Sequence, residues 1–345
     1  MSDARIPVTV LTGWLGAGKT TLLNRILSQD HGRRYAVIVN EFGEIGIDHE
    51  LIVRADEELF EMNNGCVCCT VRGDLIRTLH GLLDRAAVAQ RAFDAIVVET
   101  TGLADPGPVA QTFFVDPFLL TRTRLDSITT VVDAAHVLHR LRESREAAEQ
   151  IALADQIVVN KTDLFSAEQL RGVVSALRQL NPLAPLRHAQ RCNVPLEQLL
   201  GLGGFDLQRI TTLEPEFLNP PHGMAGHVHD EHCHHAVTQT LDPMRHDTSI
   251  RSLALRAEVP MDGQRVENWL TALVKSRGAD ILRAKGIIDI AGDDRRLVFQ
   301  AVHMILEATW QRPWIEAEPR HSRLVFIGRD LDAAILQSEF DACRA

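Results

Sequence analysis

Residues 8–21 read VTVLTGWLGAGKTT: an apolar β-type run passes into Gly13, four residues, then Gly18, Lys19 and Thr20. This order predicts a strand, a phosphate-binding loop and a helix. Phosphate oxygens are held where backbone N–H groups turn inward at the positive end of a helix dipole, and bulky side chains block that approach. Glycine at Gly13, Gly16 and Gly18 allows the dihedrals such a turn needs, and Ala17 belongs to the same cradle. Lys19 is placed to reach β/γ-phosphates and the Thr20 hydroxyl to ligate Mg²⁺. The plainer alternative is a glycine-rich turn before an ordinary helix. The full spacing behind a strand favours nucleotide binding.

Working outward, TLLNRILSQ has helical apolar spacing and YAVIVN (35–40) reads as a buried strand. A polar, glycine-bearing stretch, EFGEIGIDHELI, leads to strand-like ELFEM, then NNGCVCCT, then helical LIRTLHGLLDRAA. FDAIVVET (93–100) is another buried strand, closed by the turn TGLADPGP and a short helix AQTFF. Strand DSITTVVDA, a helical run AAHVLHRLRESREAAEQIAL, strand DQIVVNKTD and helix SAEQLRGVVSALRQLN, capped by Ser166, complete the series. Such alternation predicts an α/β fold, and the phosphate loop that opens it makes this the P-loop NTPase type. Its doubly wound, mostly parallel sheet would carry ligand loops at the carboxyl ends of the strands.

The alternation stops near Gly201. Residues 206–247 have neither helical nor strand period and are rich in Gly, Pro and His, so they read as a linker between a domain at 1–205 and a smaller α+β domain at 248–345. In that second domain SIRSLALRAEV, ILRAKGIIDIAG, RLVFQAVHMILEATW and RLVFIG are strand-rich, and VENWLTALVKS and LDAAILQSEFDAC are helical.

Three further groups carry chemistry. Asn160-Lys161-Thr162-Asp163 follows a buried strand. The Asp163 carboxylate can accept the ring N–H and exocyclic amine of guanine, a donor pair adenine lacks, while the Lys161 stem lies over the purine and Asn160 braces the loop. Alone such a tetrapeptide is often a helix cap; downstream of a phosphate loop it favours GTP/GDP over adenine nucleotides. Glu99 at the end of IVVET is a candidate for holding Mg²⁺ or water, with Gly102 offering an N–H to a γ-phosphate, against the simpler role of capping a turn. Cys66, Cys68 and Cys69 place three thiols within four residues, suited to Zn²⁺ or Cu⁺, with Co²⁺ also feasible. Packing as small apolar groups, or redox switching, are the alternatives.

Residues 222–235 hold six of the 15 histidines, and His227, His229, His232, His234 and His235 suggest weaker, unselective metal sites against a plain polar linker. His80, His136, His139 and His303 are expected to be satisfied core or surface residues, and Trp269, Trp310 and Trp314 packing residues. Cys192 and Cys343 have no partner spacing.

Composition sets outer limits. A chain of 345 residues with 45% hydrophobic residues suits two cores, and a net charge of −10 argues against nucleic acid or an anionic membrane as the main partner. No apolar run is long enough to span a bilayer, and MSDARIPVTV lacks signal-peptide character, so the expectation is a cytoplasmic protein. Clustered cysteines in a reducing compartment point to metal or thiol chemistry rather than disulfides.

Together TGWLGAGKTT, NEFGEIGID, NGCVCCT, ETTGLADPGP and NKTD resemble the ordered motifs of the CobW family of metal-linked GTPases, relatives of the UreG and HypB metallochaperones. LRAKGIIDI, VFQAVH and RLVFIG resemble its C-terminal domain, so the likeness covers all but the histidine linker. It implies a GTPase in which Gly13, Gly16, Gly18, Lys19, Thr20 and Thr21 bind phosphate and Mg²⁺, and Asn160, Lys161 and Asp163 read guanine. Cys66, Cys68 and Cys69 would bind metal, and Glu41, Gly43, Glu44 and Asp48 would form a nucleotide-sensitive switch. Trp14 stands where Phe is usual and Val39 where some relatives carry an acid, which leaves Glu44 or a distant histidine as the fourth metal ligand. The leading expectation is a GTP-hydrolysing zinc metallochaperone with a client metalloprotein, with a homo-oligomer as one arrangement. The alternatives are a GTPase for cobalt insertion in cobalamin synthesis and a non-catalytic metal store or sensor.

Overall fold

The computed structural model describes residues 4–29, 32–41, 59–63, 69–88, 93–205, 249–315 and 320–345. They form two compact units, one on a seven-stranded sheet and one on a five-stranded sheet. Cys66, Cys68, Gly43, Glu44, Asp48 and residues 206–248, with the whole histidine tract, lie outside the described residues.

The first unit runs β1 (Ile6–Thr12), α1 (Lys19–Ser28), β2 (Tyr35–Glu41), β3 (Leu59–Asn63), α2 (Cys69–Val88), β4 (Ala95–Glu99), α3 (Pro106–Val115) and α4 (Pro117–Arg122). The chain continues with β5 (Thr123–Asp133), α5 (Val137–Glu143), α6 (Arg145–Leu153), β6 (Gln156–Asn160), α7 (Ala167–Leu180) and β7 (Leu186–His188), of which residues 139–148 and 175–183 belong to the second unit. The strand order is β3-β2-β4-β1-β5-β6-β7, and every pairing is parallel. A parallel sheet covered on both faces needs near-continuous apolar strands, and AIVVE and QIVVN are buried along their whole length.

β1 lies between β4 and β5. The chain runs from β1 to the β2 side and later returns to the β5 side, so the crevice at the carboxyl end of β1 is where a ligand is expected in such folds. Leu22, Leu23, Ile26 and Leu27 of α1 share a core with Val37, Val97, Val131 and Val158 of the strands and with Ala189, Val194, Leu196 and Leu199 beyond β7. α3 lies against β1 and β5 and touches α2 and α4.

Capping explains where helices begin. Asp105 accepts from Gly107 N at 2.8 Å ahead of Pro106, and Asp116 accepts from Leu119 N at 2.9 Å ahead of Pro117. Ser166 and Gln169 cap α7 reciprocally, as its sequence predicts. The helical run expected over 134–153 is instead two helices. Ser144 donates its N–H to Arg140 O, ending α5, while its hydroxyl accepts from Ala147 N and caps α6. β7 falls in 182–200, a stretch with no clear sequence period.

The second unit contains β8 (Ile250–Ala257), α8 (Gly263–Arg277), β9 (Ile281–Asp289), β10 (Arg295–Val302), β11 (Ile305–Pro313), β12 (Ser322–Arg329) and α9 (Ala333–Asp341). Its antiparallel order is β11-β10-β9-β12-β8, the expected α+β arrangement. Trp269 of α8 packs between Phe326 and Phe340, with ring centroids 6.2 and 5.3 Å away. Trp310 departs from its expected packing role: it lies on edge strand β11, 37% exposed, under the Arg295 guanidinium at 4.9 Å. His303 sits at φ 50 in the turn between β10 and β11 rather than inside one element.

Candidate nucleotide site

The loop between β1 and α1 adopts a conformation only glycine accommodates. Gly13 has φ 139, and a Cβ there would lie 2.1 Å from Val131 O. Gly18 has φ 115, and its Cβ would lie 2.5 Å from Asn160 Nδ2 and 2.9 Å from Cys192 Sγ. Gly18 is also the N-cap of α1 in the left-handed region and supplies no side-chain cap, unlike the aspartates before α3, α4, α8 and α9. The first N–H groups of α1 thus remain directed at the loop, the arrangement that receives phosphate. Lys19 is buried, and its ammonium donates to Gly13 O at 2.8 Å and Trp14 O at 3.4 Å. Thr20 is half-buried behind it and Thr21 is exposed.

Neighbouring strand ends converge on this loop. Glu99, buried, closes β4 in register with Leu11 of β1. Thr100 beyond it donates its hydroxyl to Thr12 Oγ1 at 2.9 Å and its N–H to Leu11 O. Gly102 comes so close to Leu15 that a Cβ would meet Leu15 N at 2.6 Å, and Gln150 pins this turn by donating to Gly102 O and Ala104 O. Threonine hydroxyl and buried carboxylate are hard oxygen donors, a donor set that fits Mg²⁺. Thr20 and Glu99 are the residues that would hold it, and the ion would offset phosphate charge during transfer.

Asn160 is buried and joins two loops: Nδ2 donates to Ala17 O at 2.9 Å and Oδ1 accepts from Cys192 N at 2.8 Å. Lys161, with φ 62, sends Nζ to Gly16 O at 2.9 Å and to Asp133 Oδ2 at 2.7 Å. Thr162 donates to Ala189 O, and Asp163 stands exposed on the short 3₁₀ turn Thr162–Leu164. The phosphate loop, Glu99 and the Asn160–Asp163 segment thus stand at the carboxyl ends of β1, β4 and β6, with Asn160 and Lys161 bonded to the loop.

Two participants escaped the sequence reading. Asp133 ends β5 just as Glu99 ends β4, so the strand-terminal acid signal was present. Burial pushes its pKa up, but hydrogen bonds from Lys161, His136 and the Ala135 N–H more than offset this and hold the carboxyl below its ordinary value. Cys192, fully buried, donates to Gly18 O at 3.2 Å, and burial raises its thiol pKa to about 12 despite Arg25 and Lys161 nearby. No spacing could reveal it, because its partner is 174 residues away.

Of the expected metal ligands, Cys69 is described only as the first residue of α2. Among the described residues no group of three or more His, Cys, Asp and Glu could hold a metal ion. Val39 is a buried strand residue paired with Glu99.

Residues 7–187 match the family model described as CobW/HypB/UreG, nucleotide-binding domain, and residues 250–344 match the Cobalamin synthesis protein cobW C-terminal domain. The chain belongs to the CobW/HypB/UreG family. Within the CobW-type members it is 35% identical over 341 residues to the zinc chaperone YjiA of Escherichia coli, covering 98% of this chain and 99% of that protein. It is 33% identical over 348 residues to the zinc-regulated GTPase metalloprotein activator 1 of Schizosaccharomyces pombe, covering 94% and 83% of the two chains. The crystal structure of Zn(II)-bound YjiA GTPase from E. coli superposes with a TM-score of 0.76 at 30% identity, covering 99% of both chains. Among the described residues no helix is long and apolar enough to cross a membrane.

Proposed function

We propose that this chain is a GTP-hydrolysing zinc metallochaperone of the cytoplasm. In this reading Cys66, Cys68 and Cys69 bind zinc, with Glu44 or a histidine as fourth ligand, and GTP binding and hydrolysis drive transfer of the metal to a client protein. Thr20 and Glu99 serve Mg²⁺, Lys19 and the N–H groups of the loop bind the phosphates, and Asp163 selects guanine. The division into a GTPase domain at 1–205, a linker at 206–247 and a C-terminal domain at 248–345 is part of the proposal, supported by the limits of the two family matches. Relatives named for zinc favour that metal over cobalt.

One observation carries the coupling. Glu41 at the end of β2 is the register partner of Asn63 at the end of β3, and Val39 of the same β2 pairs with Glu99. The chain after Glu41 and the chain after Asn63 therefore leave from adjacent strand ends, β2 lying beside β4 with its Glu99 and β3 one strand further out. In this reading, binding of a γ-phosphate by the first segment acts on metal binding by the second. Linkage then requires GTP and Zn²⁺ to tighten each other's binding by one common factor, typically about 5–150-fold in coupled systems. Zn²⁺ titrations with a non-hydrolysable GTP analogue and with GDP, followed by the reverse titrations, test this. Equal metal affinities in the two nucleotide states would overturn the delivery switch.

A further inference from the structure

We propose that Asp133 and His136 are positioning residues for Lys161, holding its side chain stretched from the base loop to the phosphate loop and so setting affinity for purine nucleotides without choosing the base. The inference rests on the reading of Asn160–Asp163 as the guanine site.

The geometry is a chain of donors ending on one carboxylate. Asp133 Oδ1 accepts from Ala135 N at 2.8 Å, and Oδ2 accepts from His136 Nδ1 at 2.9 Å and from Lys161 Nζ at 2.7 Å. Asp133 and Asn160 are register partners at the ends of β5 and β6, so the carboxylate and the lysine arise from adjacent strand ends. Lys161 adds a second anchor, Gly16 O at 2.9 Å, and its backbone sits at φ 62, a conformation that non-glycine residues keep only where the surroundings impose it.

A free lysine side chain samples many rotamers, and fixing it on binding carries an entropic cost. With the ammonium tethered at both Gly16 O and Asp133, that cost is met on folding, and the apolar stem forms a ready wall of the purine pocket. A methylene stem does not sense the exocyclic amine that separates guanine from hypoxanthine; a carboxylate at Asp163 does. The two residues therefore make separable contributions, one to purine affinity and one to base choice.

The test uses the full chain and titrates GDP and IDP against the parental protein, Asp133→Asn, Lys161→Met, their combination, and Asp163→Ala. Asp133→Asn is expected to weaken GDP and IDP equally, about tenfold given the rotamer freedom restored, with the GDP:IDP ratio unchanged and the melting midpoint of the nucleotide-free protein retained. The double variant should bind no more weakly than the weaker single variant, because Lys161→Met already removes the contact that Asp133→Asn disrupts. Parental GDP affinity in Asp133→Asn, or multiplying effects in the double variant, would overturn the proposal. Should Asp133→Asn fail to fold, His136→Gln at the exposed end of the chain decides: weaker, equal loss for both nucleotides supports the tether, and unchanged affinity overturns it. Asp163→Ala reports separately on the guanine reading, which fails if the GDP:IDP ratio stays parental.

Discussion

The side-chain amide of Asn160 spans the distance between Ala17 O and Cys192 N, donating to the first at 2.9 Å and accepting from the second at 2.8 Å. One buried residue thus ties the phosphate loop to the segment behind the base loop, and its loss disturbs both. Asn160→Ala leaves a buried carbonyl and a buried N–H without this partner, which costs about 1–3 kcal/mol each at the upper end of such effects. Chemical denaturation should show lower stability, and nucleotide titration a loss of GDP affinity exceeding tenfold. Parental values in both measurements would show that the bridge contributes nothing.

Asp163 is exposed and positioned on a turn beyond the β6 end, free to face a base edge. Asp163→Asn is expected to weaken GTP and to favour xanthosine triphosphate, whose altered oxygen accepts from the amide. Competition between the two nucleotides on the variant checks this directly; an unchanged preference for GTP removes Asp163 from the site.

Phosphoryl transfer depends on charge placed around the phosphates, and Lys19 is held inside the loop by two of its carbonyls. Lys19→Ala should abolish turnover measured as phosphate release. Hydrolysis at the parental rate would refute the assignment.

The buried Cys192 thiol gives the first unit an alkaline limit. Its folded pKa of about 12 lies above the unfolded value near 8.5, so the unfolded chain loses a proton that the folded chain retains. The stabilisation is complete below pH about 8.5 and declines above it by up to about 1.4 kcal/mol per pH unit until the folded thiol titrates. Denaturation midpoints measured from pH 8 to 10 should fall less steeply in Cys192→Ala than in the parent, after correction for the variant's lower starting stability. Parallel curves would place the alkaline loss elsewhere.

Metal binding should fall into one tight class and several weak ones. Deleting residues 222–235 is expected to remove the weak class and leave one tight zinc, since six histidines spread over residues 222–235 must close longer stretches of chain on binding than three cysteines within residues 66–69. Competition with a chelator of known affinity resolves the classes. Loss of the tight class would make a linker side chain its fourth ligand.

Much of this protein was legible in residue order alone. The phosphate loop, the strand-terminal Glu99 and the Asn160–Asp163 tetrapeptide are local patterns, because each needs a strand, a turn and a helix start supplied by consecutive residues. Apolar runs such as AIVVE and QIVVN likewise announce buried parallel strands. Helix breaks were less visible: Ser144 splits one periodic run through a side-chain cap whose strength depends on the turn it enters.

Only the tertiary structure could decide what lies between those patterns. β1 ends beside β4 and β5, which are distant in sequence, and this order alone places Glu99, Thr12, Asp133 and Asn160 on one edge. Asp133 becomes the counter-ion of Lys161, 28 residues on, and Cys192 a partner of Gly18, 174 residues back. Neither pairing has a sequence period, because strand order and crossover packing set the distance between their atoms. Residue order determined which chemistry the chain carries; the parallel sheet decided which of those residues share an edge, since only folding brings the strand ends within hydrogen-bond reach.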